Sequence, residues 1–270
     1  MNITFLGGGN MAAALIGGLV DKGVLGSAMQ VVDLQAESRE RLAKRFGVRA
    51  IEALDDAALA CDVLVLAVKP QQMKAALAPL AGRLGGQLVV SIAAGLRLAD
   101  LSRWLGGHRR LVRCMPNTPA LIGAGITGLF ADPAVDGTGR DAAERVLSAV
   151  GSTVWIADEA QMDAVTAISG SGPAYVFHFI EALQSAGQGF GFDEATARKL
   201  AIDTVLGAAR LAAESPEPAS VLRERVTSKG GTTEAALNSL GAAGWHDALV
   251  AAARAAEARG RELGDELGRD

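Results

Sequence analysis

A short apolar run that passes directly into a glycine-rich turn and then a helix leaves a chain few folds to adopt. Here Ile3–Leu6 is the run, Gly7-Gly8-Gly9 the turn and Asn10–Lys22 the helix. Gly7, Gly9 and Ala12 fit the G-x-G-x-x-G/A spacing. The first glycine makes the tight turn, the second lets a pyrophosphate reach the backbone, and the small third residue lets helix and strand pack closely. Unpaired N–H groups at the helix N-terminus would meet that pyrophosphate, so Gly7, Gly8, Gly9, Asn10, Met11 and Ala12 form the expected cradle for a dinucleotide. An acidic residue, Asp33, closes the next strand 21 positions after Ala12 (33 − 12). Its carboxylate either accepts hydrogen bonds from the adenosine ribose, which favours NADH over the 2′-phosphorylated NADPH, or caps the following turn.

The alternation continues. Gln30–Asp33, Val63–Val68, Leu88–Ile92, Leu111–Met115, Gly125–Ala131 and Thr153–Ile156 are further candidate strands, with helices expected at Glu37–Phe46, Gln71–Ala81 and Leu98–Leu105. The early strands are continuously apolar, as strands covered on both faces are. This order predicts a parallel, doubly wound sheet that binds ligands beyond the carboxyl ends of its strands. Ala67-Val68-Lys69-Pro70 closes one strand at that edge; Lys69 there either faces a cofactor or is a solvated loop residue.

After about residue 160 the strand-like runs stop. Ala-rich helical stretches follow at Pro173–Gly187, Asp193–Glu214, Thr233–Leu240 and Trp245–Leu267, broken at Gly189-Phe190-Gly191, at Ser215-Pro216-Glu217-Pro218 and at Lys229-Gly230-Gly231. The expectation is an α/β Rossmann-like domain over 1–160 followed by an all-α domain over 161–270. Small residues in Asp193–Glu214 (Ala201, Gly207, Ala208, Ala209, Ala212) would let another helix approach closely, from the same chain or from a second copy. The charge-rich Arg254–Asp270 stretch is expected to be a solvated helix end.

Composition removes several classes. The formal net charge is −4 and no basic run is present, which disfavours nucleic acid as a partner. No apolar run of about twenty residues suggests a membrane span, and no basic, leader-like segment precedes Ile3, so a soluble, cytoplasmic protein is expected. Cys61 and Cys114 lie in apolar stretches without CxxC or metal-ligand spacing; buried, reduced thiols and no metal are expected.

Three polar, glycine-rich segments stand at ends of regular elements: Met115-Pro116-Asn117-Thr118-Pro119, Ser169-Gly170-Ser171-Gly172-Pro173 and Thr227-Ser228-Lys229-Gly230-Gly231-Thr232-Thr233. The last precedes an amphipathic helix, and its hydroxyls and N–H groups suit a small carboxylate or, alternatively, an elaborate helix cap. Taken in order, FLGGGNMA, VLAVKP, SIAAG, MPNTPA, SGSGPAYVF and VTSKGGTTEAAL resemble the bacterial pyrroline-5-carboxylate reductases over nearly the whole chain.

The resemblance implies a Rossmann-like domain and a helical dimerisation domain, with active sites completed by two interlocked chains, and a homodimer or larger homo-oligomer. It implies that Ser228, Lys229, Gly230, Gly231, Thr232 and Thr233, with Ser171 and Gly172, bind a cyclic imino acid. Thr233 would lie near the ring nitrogen and act with Ser228 in catalysis. Val68, Lys69, Pro70, Ala93, Ala94 and Asn117 would line the cofactor side. Two positions depart from the pattern. Lys229 stands where many relatives have proline, and Asp33-Leu34-Gln35 lacks the Ser/Thr/Arg-rich character of NADPH-preferring relatives.

The implied reaction moves a hydride to an imine carbon and a proton to its nitrogen. The matched segments contain no evident His, Asp or Lys acid; His108, His178 and His246 lie outside them. A rival class, the β-hydroxyacid dehydrogenases, needs a helix-borne lysine base, whereas the only lysines of the helical half are Lys199 and Lys229, in other settings. A non-catalytic nucleotide sensor would have no use for the SGSGPAY and TSKGGTT loops.

Overall fold

A computed structural model describes residues 1–269. The chain divides into two compact units, one of residues 1–171 with 256–270 and one of residues 172–255.

The first unit is built on one sheet. In chain order it contains β1 (Ile3–Leu6), α1 (Asn10–Asp21), β2 (Met29–Val32), α2 (Ala36–Phe46), β3 (Arg49–Ile51), α3 (Asp56–Leu59), β4 (Val63–Leu66) and α4 (Pro70–Leu77). Then come β5 (Leu88–Ser91), α5 (Leu98–Trp104), β6 (Leu111–Met115), β7 (Gly125–Ala131), α6 (Gly137–Leu147), β8 (Gly151–Trp155) and α7 (Met162–Val165). The strand order is β3-β2-β1-β4-β5-β6-β7-β8. Strands β1, β4 and β5 are buried along their whole length, because one apolar cluster covers each face of the sheet. One cluster gathers Leu15, Ile16 and Leu19 of α1 with Ala143, Val146 and Leu147 of α6; the other gathers Met73 and Leu77 of α4 with Leu101 of α5. The order reverses between β1 and β4, and at such a switch point the carboxyl ends of neighbouring strands open a crevice.

Local chemistry sets the helix ends. Glu37 opens α2, Lys44 and Arg45 close it, and Gly47 follows in the left-handed region at φ 68°. Pro70 starts α4 and Asp136 caps α6.

Three expectations need correction. The sheet is not wholly parallel: β7 runs antiparallel to β6, with Cys114 opposite Leu129. Only residues 116–124 join them, folded into a 3₁₀ turn that ends at Gly123 (φ 72°), and this is too short for a parallel crossover. The helix α6 and the edge strand β3 were not anticipated, since Gly137-Thr138-Gly139 is a poor helix start and β3 has three residues. The C-terminal stretch is not simply a solvated helix end: Leu267 packs beside the apolar cluster, Gly260 and Gly264 are buried, and Asp265 pairs with Arg97 at 2.6 Å. Asp270 lies outside the described residues.

The second unit is helical: α8 (Gly172–Gly189), α9 (Glu194–Glu214), α10 (Ala219–Arg225), α11 (Thr232–Ala242) and the start of α12 (Trp245–Leu267). Gly187 meets Ala197 closely enough that a methyl at 187 would stand 3.1 Å from the Ala197 side chain, so these small residues draw α8 and α9 together. Within the unit only Ala197 and Ala201 are buried hydrophobics, while Phe177, Phe179, Phe190, Phe192, Leu200, Leu211, Val226 and Trp245 are exposed. Among the described residues no helix is long and apolar enough to cross a membrane, and no group of potential ligands could hold a metal ion.

Candidate functional site

Most residues expected at the nucleotide side of the first unit lie just beyond the carboxyl ends of strands, with Asn10, Met11 and Ala12 in the first turn of α1 and Pro70 at the start of α4. Gly7–Gly9 follow β1, Asp33 follows β2, Val68 and Lys69 follow β4, Ala93 and Ala94 follow β5, and Asn117 follows β6.

The three glycines of the turn do different work. Gly7 is buried at φ 104° and donates its N–H to Val32 O at 2.8 Å. A Cβ there would stand 2.7 Å from the Ala67 carbonyl, so only glycine lets the turn pass the end of β4. Gly8 is hemmed in by Leu42 of α2 and by the Asp33 carboxylate. Gly9 is exposed, has ordinary extended geometry (φ −69°, ψ −174°) and has nothing within 4 Å of an added Cβ. It precedes α1, whose first turn receives no side-chain cap and holds no acidic residue. Open space beside uncapped, positively polarised N–H groups is what a pyrophosphate requires, so the residues present fit a dinucleotide.

Asp33 carries both of its expected roles in one geometry. Its Oδ2 accepts the Gly8 N–H at 2.6 Å and its Oδ1 accepts the Gln35 N–H at 2.8 Å. The carboxylate therefore ties the turn to the end of β2, and each oxygen keeps further lone pairs. The two nearby arginines differ. Arg39 donates to the carbonyls of Asp33 and Leu34, both at 2.8 Å, and meets Glu52 at 3.3 Å. Arg41 is exposed and makes a longer bond, 3.1 Å, to the Gly8 carbonyl.

Lys69 is exposed and stands at the N-cap of α4, ahead of Pro70. Ala93 is buried and Ala94 exposed. Asn117 is buried, and its side-chain amide bridges two segments: Nδ2 donates to Ser169 O at 3.1 Å and Oδ1 accepts the Ile126 N–H at 3.0 Å. Thr166–Gly170 form a π-helical turn, which no periodicity announced; π turns often occur at functional sites. Gly170 packs closely against the Met115 methyl, and a Cβ there would stand 2.7 Å from it, so a larger residue would have to push that flexible side chain aside. Ser171 follows that turn, and Gly172 begins α8 in the second unit.

In the second unit, Ser228–Thr233 forms a tight turn into α11. Gly231 donates to Ser228 O at 3.0 Å, and Gly230 sits at φ 72°. Sequence reasoning passed over Glu234, whose Oε2 accepts the Gly230 N–H at 2.6 Å; a glutamate three residues past the N-cap was the available signal. Gly231, the N-cap of α11, has no side chain to cap the helix, so the first-turn N–H groups are without a side-chain partner, and Glu234 lies in the same turn. Ser228, Lys229 and Thr232 are exposed, and Thr233 is half-buried.

The three histidines lie outside the segments expected to form the site. His108 Nε2 lies 3.0 Å from Gln87 O, and burial lowers its pKa, which keeps it neutral. His178 and His246 are exposed beside Glu181 and Asp247. Cys61 and Cys114 are free and buried, and burial raises both thiol pKa values, which leaves them unreactive.

Residues 159–263 match the family model described as pyrroline-5-carboxylate reductase dimerisation, and residues 2–95 match that described as NADP oxidoreductase coenzyme F420-dependent. The chain is 48% identical over 267 residues to the pyrroline-5-carboxylate reductase of Pseudomonas aeruginosa, covering 98% of each. Among solved structures, a pyrroline-5-carboxylate reductase from Coxiella burnetii superposes with a TM-score of 0.92 at 41% identity, covering 97% of this chain and 98% of that one. Plasmodium falciparum pyrroline carboxylate reductase with NADP bound gives 0.86 at 28% identity, covering 98% of each.

The contrast between the glycines yields a test. Gly9→Ala should leave the thermal midpoint unchanged, because nothing surrounds the added methyl, yet weaken binding of a reduced nicotinamide cofactor by roughly tenfold or more by occupying the pyrophosphate's space. Fluorescence titration beside a melting curve measures both; unaltered binding would remove Gly9 from the cradle.

Proposed function

The chain belongs to the pyrroline-5-carboxylate reductase family, and on that premise we propose how its residues divide the work. The protein is a nicotinamide-dependent oxidoreductase that reduces the C=N bond of Δ1-pyrroline-5-carboxylate to L-proline, the last step of proline biosynthesis. A bound nicotinamide supplies the hydride for the imine carbon, which becomes C5 of proline.

Everything else the chain does is positioning. Gly7–Ala12 receive the pyrophosphate at the uncapped start of α1, and the open space beside Gly9 is the observation that carries this assignment. Val68, Lys69, Pro70, Ala93, Ala94 and Asn117 line the nicotinamide side. Ser228–Thr233, with Ser171 and Gly172, hold the imino acid, whose carboxylate meets the N–H groups that open α11. Glu234 already occupies the Gly230 N–H, so the anion is left with the first turn of the helix. The Thr233 hydroxyl orients the ring nitrogen but is too weak an acid to protonate it. The nitrogen's proton arrives with the substrate or from water.

The match to a dimerisation domain supports self-association. A homodimer formed through the second unit would cover the exposed faces of Phe177, Phe179, Leu200, Leu211 and Trp245.

For the cofactor we read a preference for NADH. A carboxylate at the end of β2 repels a 2′-phosphate, by ~1 kcal/mol at water-like dielectric and more where water is excluded. Arg39 is committed to two carbonyls and Glu52 and offers the phosphate little, whereas exposed Arg41 can swing toward it and limit the preference.

Two substitutions test this division. Thr233→Ala should lower kcat/KM for the imine by roughly ten- to a hundredfold, the worth of one hydrogen bond to a charged group, with cofactor affinity kept; wild-type efficiency would take Thr233 out of the site. Asp33→Ser should narrow or reverse the ratio of NADH to NADPH efficiency. A wild type that prefers NADPH by about tenfold or more, with a ratio that Asp33→Ser does not move, would leave Asp33 a turn cap alone.

A further inference from the structure

The loop from Ile92 to Arg97 joins β5 to α5 and presents Ala93 and Ala94 at the carboxyl edge of the sheet. A connection of this kind is held only by what lies behind it. At its downstream end, Glu159 Oε1 accepts the Leu98 N–H at 2.8 Å. The same oxygen receives Arg113 Nη1 at 3.1 Å, and Arg113 Nη2 lies 3.5 Å from Asp163 Oδ1. Arg113 is 3% exposed, so this cation is held inside the fold by two carboxylates and is a rigid post rather than a surface ion pair.

The middle of the loop is held by the end of α12. Gly95 lies at φ 81° with its carbonyl against Gly264; a Cβ on Gly264 would stand 2.9 Å from that oxygen. Backbone meets backbone here only because residue 264 has no side chain. Beside this contact, Arg97 Nη2 meets Asp265 Oδ1 at 2.6 Å, and one turn back Gly260 lies against Asp163 of the buried ion cluster. Arg103 donates to Gly268 O at 2.7 Å and pairs with Asp100 at 3.1 Å, which anchors the helix end to α5. The Arg97–Asp265 pair is partly exposed and weak alone, so the glycine contact sets the distance and the ion pair sets the register.

We propose that Gly264, Asp265 and Arg97 are positioning residues for the cofactor: the last turns of the C-terminal helix fix the Ala93–Gly95 loop at the height the nicotinamide side requires. This rests on the assignment of Ala93 and Ala94 to the cofactor. The role differs from stabilising the fold at large, because the contacts fall on one loop, and an added methyl at 264 moves that loop toward the crevice.

Direct binding measures it. The purified, assembled protein is titrated with reduced nicotinamide cofactor by fluorescence, beside steady-state kinetics and a melting curve. Gly264→Ala and Arg97→Ala should each raise the cofactor dissociation constant by about fivefold or more, with the KM for the imine within about twofold of wild type, and Arg97→Lys should recover most of the loss. Asp265→Asn, which removes a charge without changing shape, repeats the test if a methyl at 264 prevents folding. Ala94→Leu, which fills the crevice from the loop itself, separates the two assignments. Weakened binding in Ala94→Leu with wild-type affinity in Gly264→Ala, Arg97→Ala and Asp265→Asn would overturn the positioning role alone. Wild-type affinity in Ala94→Leu would overturn the cofactor assignment on which the role rests.

Discussion

Residues 172–255 bury two alanines as their whole hydrophobic interior and leave phenylalanines, leucines and a tryptophan on the outside. A water-soluble unit of that size normally hides such side chains, because each Leu or Phe left wet forgoes about 1.5–3 kcal/mol. The unit is therefore built to be covered, and the dimerisation model matched by 159–263 names the kind of surface that covers it. The proposed substrate turn, Ser228–Thr233, belongs to this unit, between α10 and α11.

The first unit has the opposite economy. Its sheet is covered on both faces, its core closes within its own residues, and its carboxyl edge is shaped by where side chains are missing. Gly7 lets the turn clear β4, Gly9 leaves room outside, and Gly264 lets a distant helix touch the Ala93–Gly95 loop. Asp33 then locks the turn by accepting two backbone N–H groups, so a residue proposed for cofactor choice also sets the shape of the cradle. Catalysis assigned to such a site needs no strong acid or base. On the proposed assignment the chain supplies orientation and a matched charge for the substrate carboxylate.

What could be read in advance was local or periodic. The strand–turn–helix of residues 3–22, the acidic close of β2 and the change to helices after residue 160 all write themselves into neighbouring residues. The reversed β7 did not, because only the shortness of residues 116–124 encodes it. The π turn at Thr166–Gly170 has no spacing of its own. The cluster of Arg113 with Glu159 and Asp163 joins residues about fifty apart, and the return of 260–268 onto α5 looked like an exposed charged tail because it rests on glycines, one leucine and an ion pair to a distant residue. Long-range contacts made by absent side chains leave no pattern to find. Only the family resemblance assigns the Ser228–Thr233 loop to the substrate; its residues alone point a little more toward a helix cap than toward a carboxylate site.

On the proposed division, the nucleotide-binding unit is complete in one chain and the helical unit works only when a second copy covers it. Dilution separates the two claims. Sedimentation, cofactor fluorescence and imine turnover are followed on one preparation as its concentration falls through the range in which the assembly dissociates. The account predicts that specific activity falls in step with the fraction of dimer, while separated chains still bind the reduced cofactor. A single chain that reduces the imine at the full rate would contradict it.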